Sequence, residues 1–199
     1  GTCLHWGCVP AKTLLHAAEV ADEAREGASI GVKSTFEGID VPALLKYKDG
    51  IINRLYKGLQ GLVKSRKIQL VEGEGKFVGP NTVVVGGDRY IGKDVILATG
   101  SFSRTLPGLT IEGRVITSTQ ALSLEWVPKT AIVLGGGVIG VEFASTWASF
   151  GTDVTIVEAL PTLVPLEDPW AAKLVERAFR KRKIGFKTGV RFKSVTQDD

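Results

Sequence analysis

An α/β fold is predicted, because helical and strand periods alternate along the chain and because one glycine-rich turn stands between a strand and a helix. The turn is Gly135-Gly136-Gly137-Val138-Ile139-Gly140. Ala131–Leu134 before it reads as a strand. A helix follows to about Phe150, Gly151 ends it, and Val154–Glu158 reads as the next strand. A strand, a G-x-G-x-x-G turn, a helix and a second strand ending in an acid make the Rossmann-like unit that holds a dinucleotide.

Each residue of that unit has a physical task. Gly135 permits the tight turn, Gly137 admits a pyrophosphate against the backbone, and Gly140 lets helix and strand close up. The phosphates then meet free N–H groups at a helix N-terminus. Glu158 can accept hydrogen bonds from both ribose hydroxyls and repels a 2′-phosphate. No Arg or Lys follows between Ala159 and Pro169 to offset that charge, so NAD is favoured over NADP.

Residues 1 to 12 read Gly-Thr-Cys-Leu-His-Trp-Gly-Cys-Val-Pro-Ala-Lys, and both cysteines of the chain, Cys3 and Cys8, lie there. Residues five apart on a regular helix are too far round and too far along for a disulfide, whose Cα atoms lie about 4.4–6.8 Å apart. A paired Cys3 and Cys8 therefore need an irregular segment. Gly7 supplies freedom, and Pro10 suits the first turn of a helix while disfavouring helical backbone at Val9. Cys8 then sits at or just before a helix N-terminus, where partial positive charge and the nearby Lys12 favour a thiolate. The spacing alone leaves open a redox-active dithiol, a structural staple and two unrelated thiols. As a staple, so short a loop contributes only about 2 kcal/mol.

Pro10 to about Gly27 has an apolar stripe of Leu14, Leu15, Ala18, Val20 and Ala21, and Glu19, Asp22, Glu23 and Arg25 form its polar side. Residues 28–39 read as a loop with a short extended piece. Asp40 can cap the next helix, with Pro42 in its first turn, and the helical period lasts to about Lys67. Strands then follow at Ile68–Glu72, Asn81–Val85 and Arg89–Ile91, the last two flanking a hairpin turn at Gly86-Gly87-Asp88. Asp94–Ala98 reads as a buried strand running into Ala98-Thr99-Gly100-Ser101, whose small residues allow a ligand close to the backbone. Thr117–Pro128 reads as a connector, Pro169 to about Lys183 as a helix, and Gly185–Val195 as extended.

Composition narrows the class. The chain has 199 residues, 44% apolar and 23% charged, with a net charge of +4, so one or two ordinary globular domains are expected. Two cysteines exclude a disulfide scaffold and a four-cysteine zinc site, and His5 and His16 are expected to bind no metal. No apolar run is long enough to span a bilayer as a helix. The basic runs Lys64–Lys67 and Arg177–Lys183 read as solvated helix faces with no accompanying motif, so neither nucleic acid nor a membrane is an expected partner.

Gly-Thr-Cys-Leu-x-x-Gly-Cys-Val-Pro-x-Lys resembles the active-site signature of the flavin-dependent pyridine nucleotide–disulfide oxidoreductases. Ala98-Thr99-Gly100-Ser101 before Leu106-Pro107-Gly108 resembles the second flavin-domain motif of that family, without its usual Ser-x-Pro. His5-Trp6 and Ala11 depart from the signature but remove neither thiol nor the lysine. The resemblance implies Rossmann-like FAD/NAD(P)-binding domains, the FAD/NAD-linked reductase fold, incomplete at both ends. Residues 1–117 would be part of the FAD-binding domain and 118–199 part of the NAD-binding domain. The family's G-x-G-x-x-G for the adenine half of FAD is expected before Gly1, and its interface domain with a His–Glu pair after Asp199.

The resemblance also implies roles. Cys3 and Cys8 form the catalytic disulfide, with Cys3 the outer thiol that exchanges with dihydrolipoamide and Cys8 the thiolate against the flavin. Lys12 would lie beside the flavin ring, and Thr2, Gly75, Thr99, Gly100 and Ser101 would contact FAD. Gly135, Gly136, Gly137, Val138, Ile139, Gly140, Val141, Glu142 and Glu158 would bind NAD. A dithiol gives up electrons by thiol–disulfide exchange whereas NAD⁺ accepts a hydride, and a flavin does both. Electrons would run from dihydrolipoamide, carried on a lipoyl domain of a 2-oxo acid dehydrogenase or glycine cleavage complex, through the disulfide and FAD to NAD. A cytoplasmic homodimer is expected for the whole enzyme. The 199 residues alone are expected to be inactive and, with a cut sheet edge, prone to aggregate. The alternatives are relatives that reduce glutathione or mercuric ion, whose usual NADPH Glu158 opposes, and a non-catalytic NAD-binding module.

Overall fold

Two helical segments meet at Gly7 in the computed structural model, which describes residues 1–197. α1 spans Thr2–Trp6 and α2 spans Cys8–Glu26. Pro10 does not keep Val9 out of the helix. It occupies the third helical position, where a missing N–H removes no intrahelical bond. Pro10, Thr13, Leu14, Ala18 and Ala21 form the buried face of α2. A 3₁₀ turn, Gly27–Ile30, follows, and Gly31 turns the chain away at φ 85°. Asp198 and Asp199, where the sequence expects the chain to stop within a domain, lie outside the described residues.

α3 spans Val41–Ser65, and its start was legible: the Asp40 carboxylate accepts the Ala43 N–H at 3.0 Å. Asp40→Ala removes that cap and is expected to destabilise the fold by about 1 kcal/mol. In a chain of this length that lowers the melting midpoint by roughly 2–4 °C, measured by circular dichroism.

The chain divides into two compact units, Gly1–Ile52 with Ser103–Asp199, and Asn53–Phe102. In the smaller, β1 (Gly75–Gly79), β2 (Thr82–Val85) and β3 (Asp88–Ile91) form an antiparallel sheet in that order. Gly86 and Gly87 make the two-residue turn, both at positive φ, and Asp88 pairs with Val85 rather than belonging to the turn. Two strand expectations fail. Ile68–Glu72 joins no ladder, and Asp94–Ala98, expected to be buried, leaves Ile96 89% and Leu97 68% exposed. Both have apolar residues suited to strands, but a strand is completed by its neighbour, and neither segment has a ladder partner among the described residues.

In the larger unit the connector contains a short helix, α4 (Ser118–Ala121), with a capping box in which the Thr117 N–H donates to Gln120 Oε1 at 2.8 Å. The βαβ unit then forms as expected. β4 (Thr130–Leu134) leads into α5 (Val138–Phe150), Gly151 closes α5 in left-handed backbone, and β5 (Asp153–Val157) pairs parallel to β4 with Ala131 opposite Val154. α6 (Pro169–Lys181) begins where Asp168 accepts the Trp170 N–H. β6 (Gly185–Lys187) joins the far edge of β5, and the rest of the expected extended segment forms no ladder.

Two apolar clusters hold this unit. Ala144, Val154, Ile156, Leu163, Phe179 and Ile184 pack α5 and α6 on the parallel sheet. Leu14, Ala121, Leu122 and Phe143 join α2 to α4 and α5. The second cluster places the cysteine-bearing helix beside the helix of the glycine turn.

Candidate functional site

Cys3 and Cys8 are bonded to each other, with Cα atoms 4.7 Å apart. The break at Gly7 makes this distance available. The two helical segments come so close there that a Cβ on Gly7 would lie 3.3 Å from the Thr2 carbonyl oxygen. Cys8 is the first residue of α2, no side chain caps that helix, and both cysteines are exposed. The helix N–H groups therefore face the position where a Cys8 thiolate would form. Thr2 opens α1 just before Cys3.

Lys12 lies one turn further along α2, and its ammonium pairs with the Glu142 carboxylate on α5. A cleft of about 350 Å³ borders Cys8, Val9, Lys12, Thr13, Tyr47 and Ile51. A disulfide sulfur, a cation and an apolar wall in one cleft suit a planar redox ring, with the lysine as its polar contact. Lys48 is buried in the same unit, where its ammonium donates to the Leu122 carbonyl at 2.8 Å.

The glycine turn has the form its sequence requires. Gly135 has φ 107°. A Cβ on Gly140 would fall 1.9 Å from the Gly135 carbonyl oxygen, whereas one on Gly137 would meet nothing within 4 Å. Space for a phosphate is therefore open at Gly137, and no side chain caps α5, which starts at Val138. Val138 and Ile139 are exposed, Val141 is half-buried, and Glu142 follows one turn into α5.

Glu158 is buried just beyond β5, and its two oxygens accept from the Gly136 N–H at 2.6 Å and the Leu160 N–H at 2.7 Å. Each oxygen keeps a second lone pair, so the residue fits a ribose diol while its orientation is fixed by the turn it serves. That second task was not legible in the sequence.

Gly75, Thr99, Gly100 and Ser101 belong to the smaller unit. Gly75 opens β1, and the other three lie in an exposed loop in which Gly100 has φ 83°. Sequence reasoning also missed a polar cluster across α2, α5 and α6, in which Asp22, Ser145, Ser149 and Arg182 share hydrogen bonds. Asp22 reads as part of a polar face and Arg182 as part of a solvated basic run, and no periodic signal shows that the two meet. Among the described residues no group of His, Cys, Asp and Glu could hold a metal ion, and no helix is long and apolar enough to cross a membrane.

The chain is similar to known proteins along its whole length. Dihydrolipoyl dehydrogenase 1, mitochondrial, from Arabidopsis thaliana is 43% identical over 94% of this chain and 38% of its own length. Dihydrolipoyl dehydrogenase from Bacillus subtilis is 38% identical over 96% of this chain and 43% of its own. The chain thus spans about two fifths of the length of these relatives. Among solved structures, LpdA from Mycobacterium tuberculosis covers all of the chain at a TM-score of 0.84 and 25% identity, with 45% of its own length matched. The HOCl-induced flavoprotein disulfide reductase RclA from Escherichia coli covers all of it at 0.79 and 28%, with 43% matched. Residues 1–199 match the family described as pyridine nucleotide-disulphide oxidoreductase, and with a bonded pair at the head of α2 and a dinucleotide turn at the head of α5, the chain belongs to that family.

Proposed function

We propose that this chain carries the dithiol and dinucleotide sites of a dihydrolipoyl dehydrogenase that uses FAD and NAD. One observation carries the reading: Cys3 and Cys8 are bonded at the head of a helix whose Lys12 is paired to the helix of the dinucleotide turn. Relatives named dihydrolipoyl dehydrogenase at about 40% identity support the substrate. Residues 1–117 form the FAD-binding part and 118–199 the NAD-binding part.

Cys3 receives the substrate. A thiolate of dihydrolipoamide attacks Cys3 Sγ, the Cys3–Cys8 bond breaks, and its electron pair leaves on Cys8. The second substrate thiolate then attacks the mixed disulfide, releasing Cys3 as a thiolate and lipoamide as a disulfide, while the two substrate protons pass to solvent or a base. The α2 N-terminus and Lys12 hold the charge on Cys8. FAD, when bound, takes up the dithiol's electron pair and supplies hydride to NAD⁺. Thr2 and Lys12 would hold the flavin nucleotide, and Gly75, Thr99, Gly100 and Ser101, taken from the family resemblance, are the flavin contacts proposed within the smaller unit. The turn Gly135–Gly140 would hold the pyrophosphate of NAD on the N–H groups from Gly137 onward, since those of Gly135 and Gly136 already donate to Val157 and Glu158, with Val141 and Glu142 towards the nicotinamide and Glu158 on the ribose. The substrate is the lipoyl arm of a 2-oxo acid dehydrogenase or glycine cleavage complex, and the working form is a cytoplasmic homodimer.

The test is an absorbance titration of the purified full-length protein, flavin-loaded, with dihydrolipoamide and then NAD⁺. Flavin bands, a long-wavelength thiolate-to-flavin band on partial reduction, and NADH formed on adding NAD⁺ are expected. A flavin that NADPH reduces and dihydrolipoamide does not would move the protein to the glutathione or mercuric branch and overturn the role given to Glu158.

A further inference from the structure

α2 and α5 each begin at a chemical site, the first at Cys8 and the second at the dinucleotide turn. They are tied together twice. Near the start of α2 the tie is Lys12 to Glu142. Ten residues on, about 15 Å along the helix, Asp22 Oδ2 accepts from Ser149 Oγ at 2.6 Å and from Arg182 Nη2 at 3.3 Å. Arg182 spreads its fork over α5: Nη1 donates to Ser145 Oγ at 2.6 Å, and Nη2 to Ser149 Oγ at 2.6 Å and the Ser145 carbonyl at 3.2 Å. Arg25 holds the other Asp22 oxygen at 3.0 Å. Arg182 is also the C-cap of α6.

Ser149 is buried with its hydrogen bonds made, which offsets the desolvation of its hydroxyl and adds little net stability. A polar cluster satisfied by one arrangement only instead specifies register, because a slide or rotation of one helix on the other breaks several hydrogen bonds at once. Leu14 and Phe143 already pack α2 on α5 between the two ties, and directional polar bonds about 15 Å apart along α2 add a constraint on slide and crossing angle that apolar packing alone does not impose.

We propose that Arg182 is a positioning residue for electron transfer. Through Asp22 and Ser149 it locks the helix that starts at Cys8 against the helix that starts at the dinucleotide turn, and so fixes the spacing of the two sites. The proposal rests on the function argued above. It touches no substrate itself.

The test uses the full-length flavin-loaded protein with Arg182→Gln, Asp22→Asn, both together, and Ser149→Ala, the last a near-isosteric change that keeps the fold if Arg182→Gln does not. Rapid-mixing absorbance measures the two half-reactions separately, and hydrogen exchange followed by mass spectrometry measures α2 and α5. A misplacement of reacting groups by about an ångström is costly, so the NAD⁺ half-reaction is expected to slow about tenfold. Flavin reduction by dihydrolipoamide stays within about twofold, because Cys3, Cys8 and Lys12 are joined within α1 and α2. Amides of residues 8–26 and 138–150 should exchange faster together, and the double variant should be no worse than either single one. Unchanged half-reactions, or both slowed in the same proportion as the melting midpoint falls, would overturn the proposal. If the unaltered protein is not reduced by dihydrolipoamide, the functional reading fails, and the joint exchange of the two helices still decides the clamp.

Discussion

Cys8→Ser is expected to stop electron transfer from dihydrolipoamide, lowering turnover by about a thousandfold or more, while leaving the fold and the flavin in place. A serine hydroxyl does not form a bond to sulfur that can be exchanged, so the Cys3–Cys8 bond is lost and with it the acceptor for the substrate's electrons. The stability change is small, because the residue is exposed and the loop it closes is short. Cys3→Ser stops turnover equally but differs in colour. It leaves Cys8 as a thiolate at the N-terminus of α2 with Lys12 one turn away. The long-wavelength thiolate-to-flavin band is then expected in the oxidised Cys3→Ser protein and absent from the Cys8→Ser protein. The reverse pattern would exchange the roles of the two cysteines. Absorbance spectra of the two purified variants, with turnover measured alongside, decide the matter.

The division of roles between the two cysteines comes from the family resemblance, whereas the helix start that favours a thiolate at Cys8 was legible before the structure because it depends on local chemistry. Gly7, Cys8, Pro10 and Lys12 together specify a helix that starts at a thiol, and α2 does start there. The βαβ unit was legible for a similar reason: its strand, turn, helix and strand are contiguous, and Gly135 and Gly140 each have a backbone reason to be glycine, the first its positive φ and the second its close approach to the Gly135 carbonyl. What failed depends on residues distant in sequence. Asp94–Ala98 carries a strand's residues yet pairs with nothing described, while Gly75–Gly79, to which the sequence assigns no strand, is held by β2. Strand identity is settled by the neighbour more than by propensity. The Asp22–Ser149–Arg182 cluster was hidden for the same reason, since its members stand up to 160 positions apart. Glu158 was read as a ribose acceptor from its place at the end of a strand. Its hold on the Gly136 and Leu160 N–H groups needed the turn's three-dimensional path.

Gly140→Ala and Gly137→Ala separate two functions within the same glycine motif. At Gly140 an added methyl would lie 1.9 Å from the Gly135 carbonyl oxygen and 3.3 Å from Val133 Cγ1. The first of these is backbone, which no rotamer change relieves, so α5 must move away from β4 or the turn must open. Overpacking of this kind costs about 1–3 kcal/mol or more, and the N–H groups at the head of α5 lose their alignment. Gly140→Ala is therefore expected to lower both the melting midpoint and the affinity for NAD⁺. Gly137 presents the opposite case. Its backbone, at φ −71° and ψ −179°, is one that alanine adopts freely, and its methyl would meet nothing in the protein. The space that methyl fills is where a pyrophosphate must approach the backbone. Gly137→Ala should leave the melting midpoint within about 1 °C, because surface changes away from such crowding shift stability little. NAD⁺ affinity should fall by about tenfold or more, the loss of roughly one charge-assisted hydrogen bond. Calorimetric titration with NAD⁺ beside thermal melts of both variants measures the difference. Unaltered NAD⁺ binding by a stable Gly137→Ala protein would place the phosphates elsewhere, and a Gly140→Ala protein with the parent's melting midpoint would show that α5 yields more easily than the close contact at Gly135 implies.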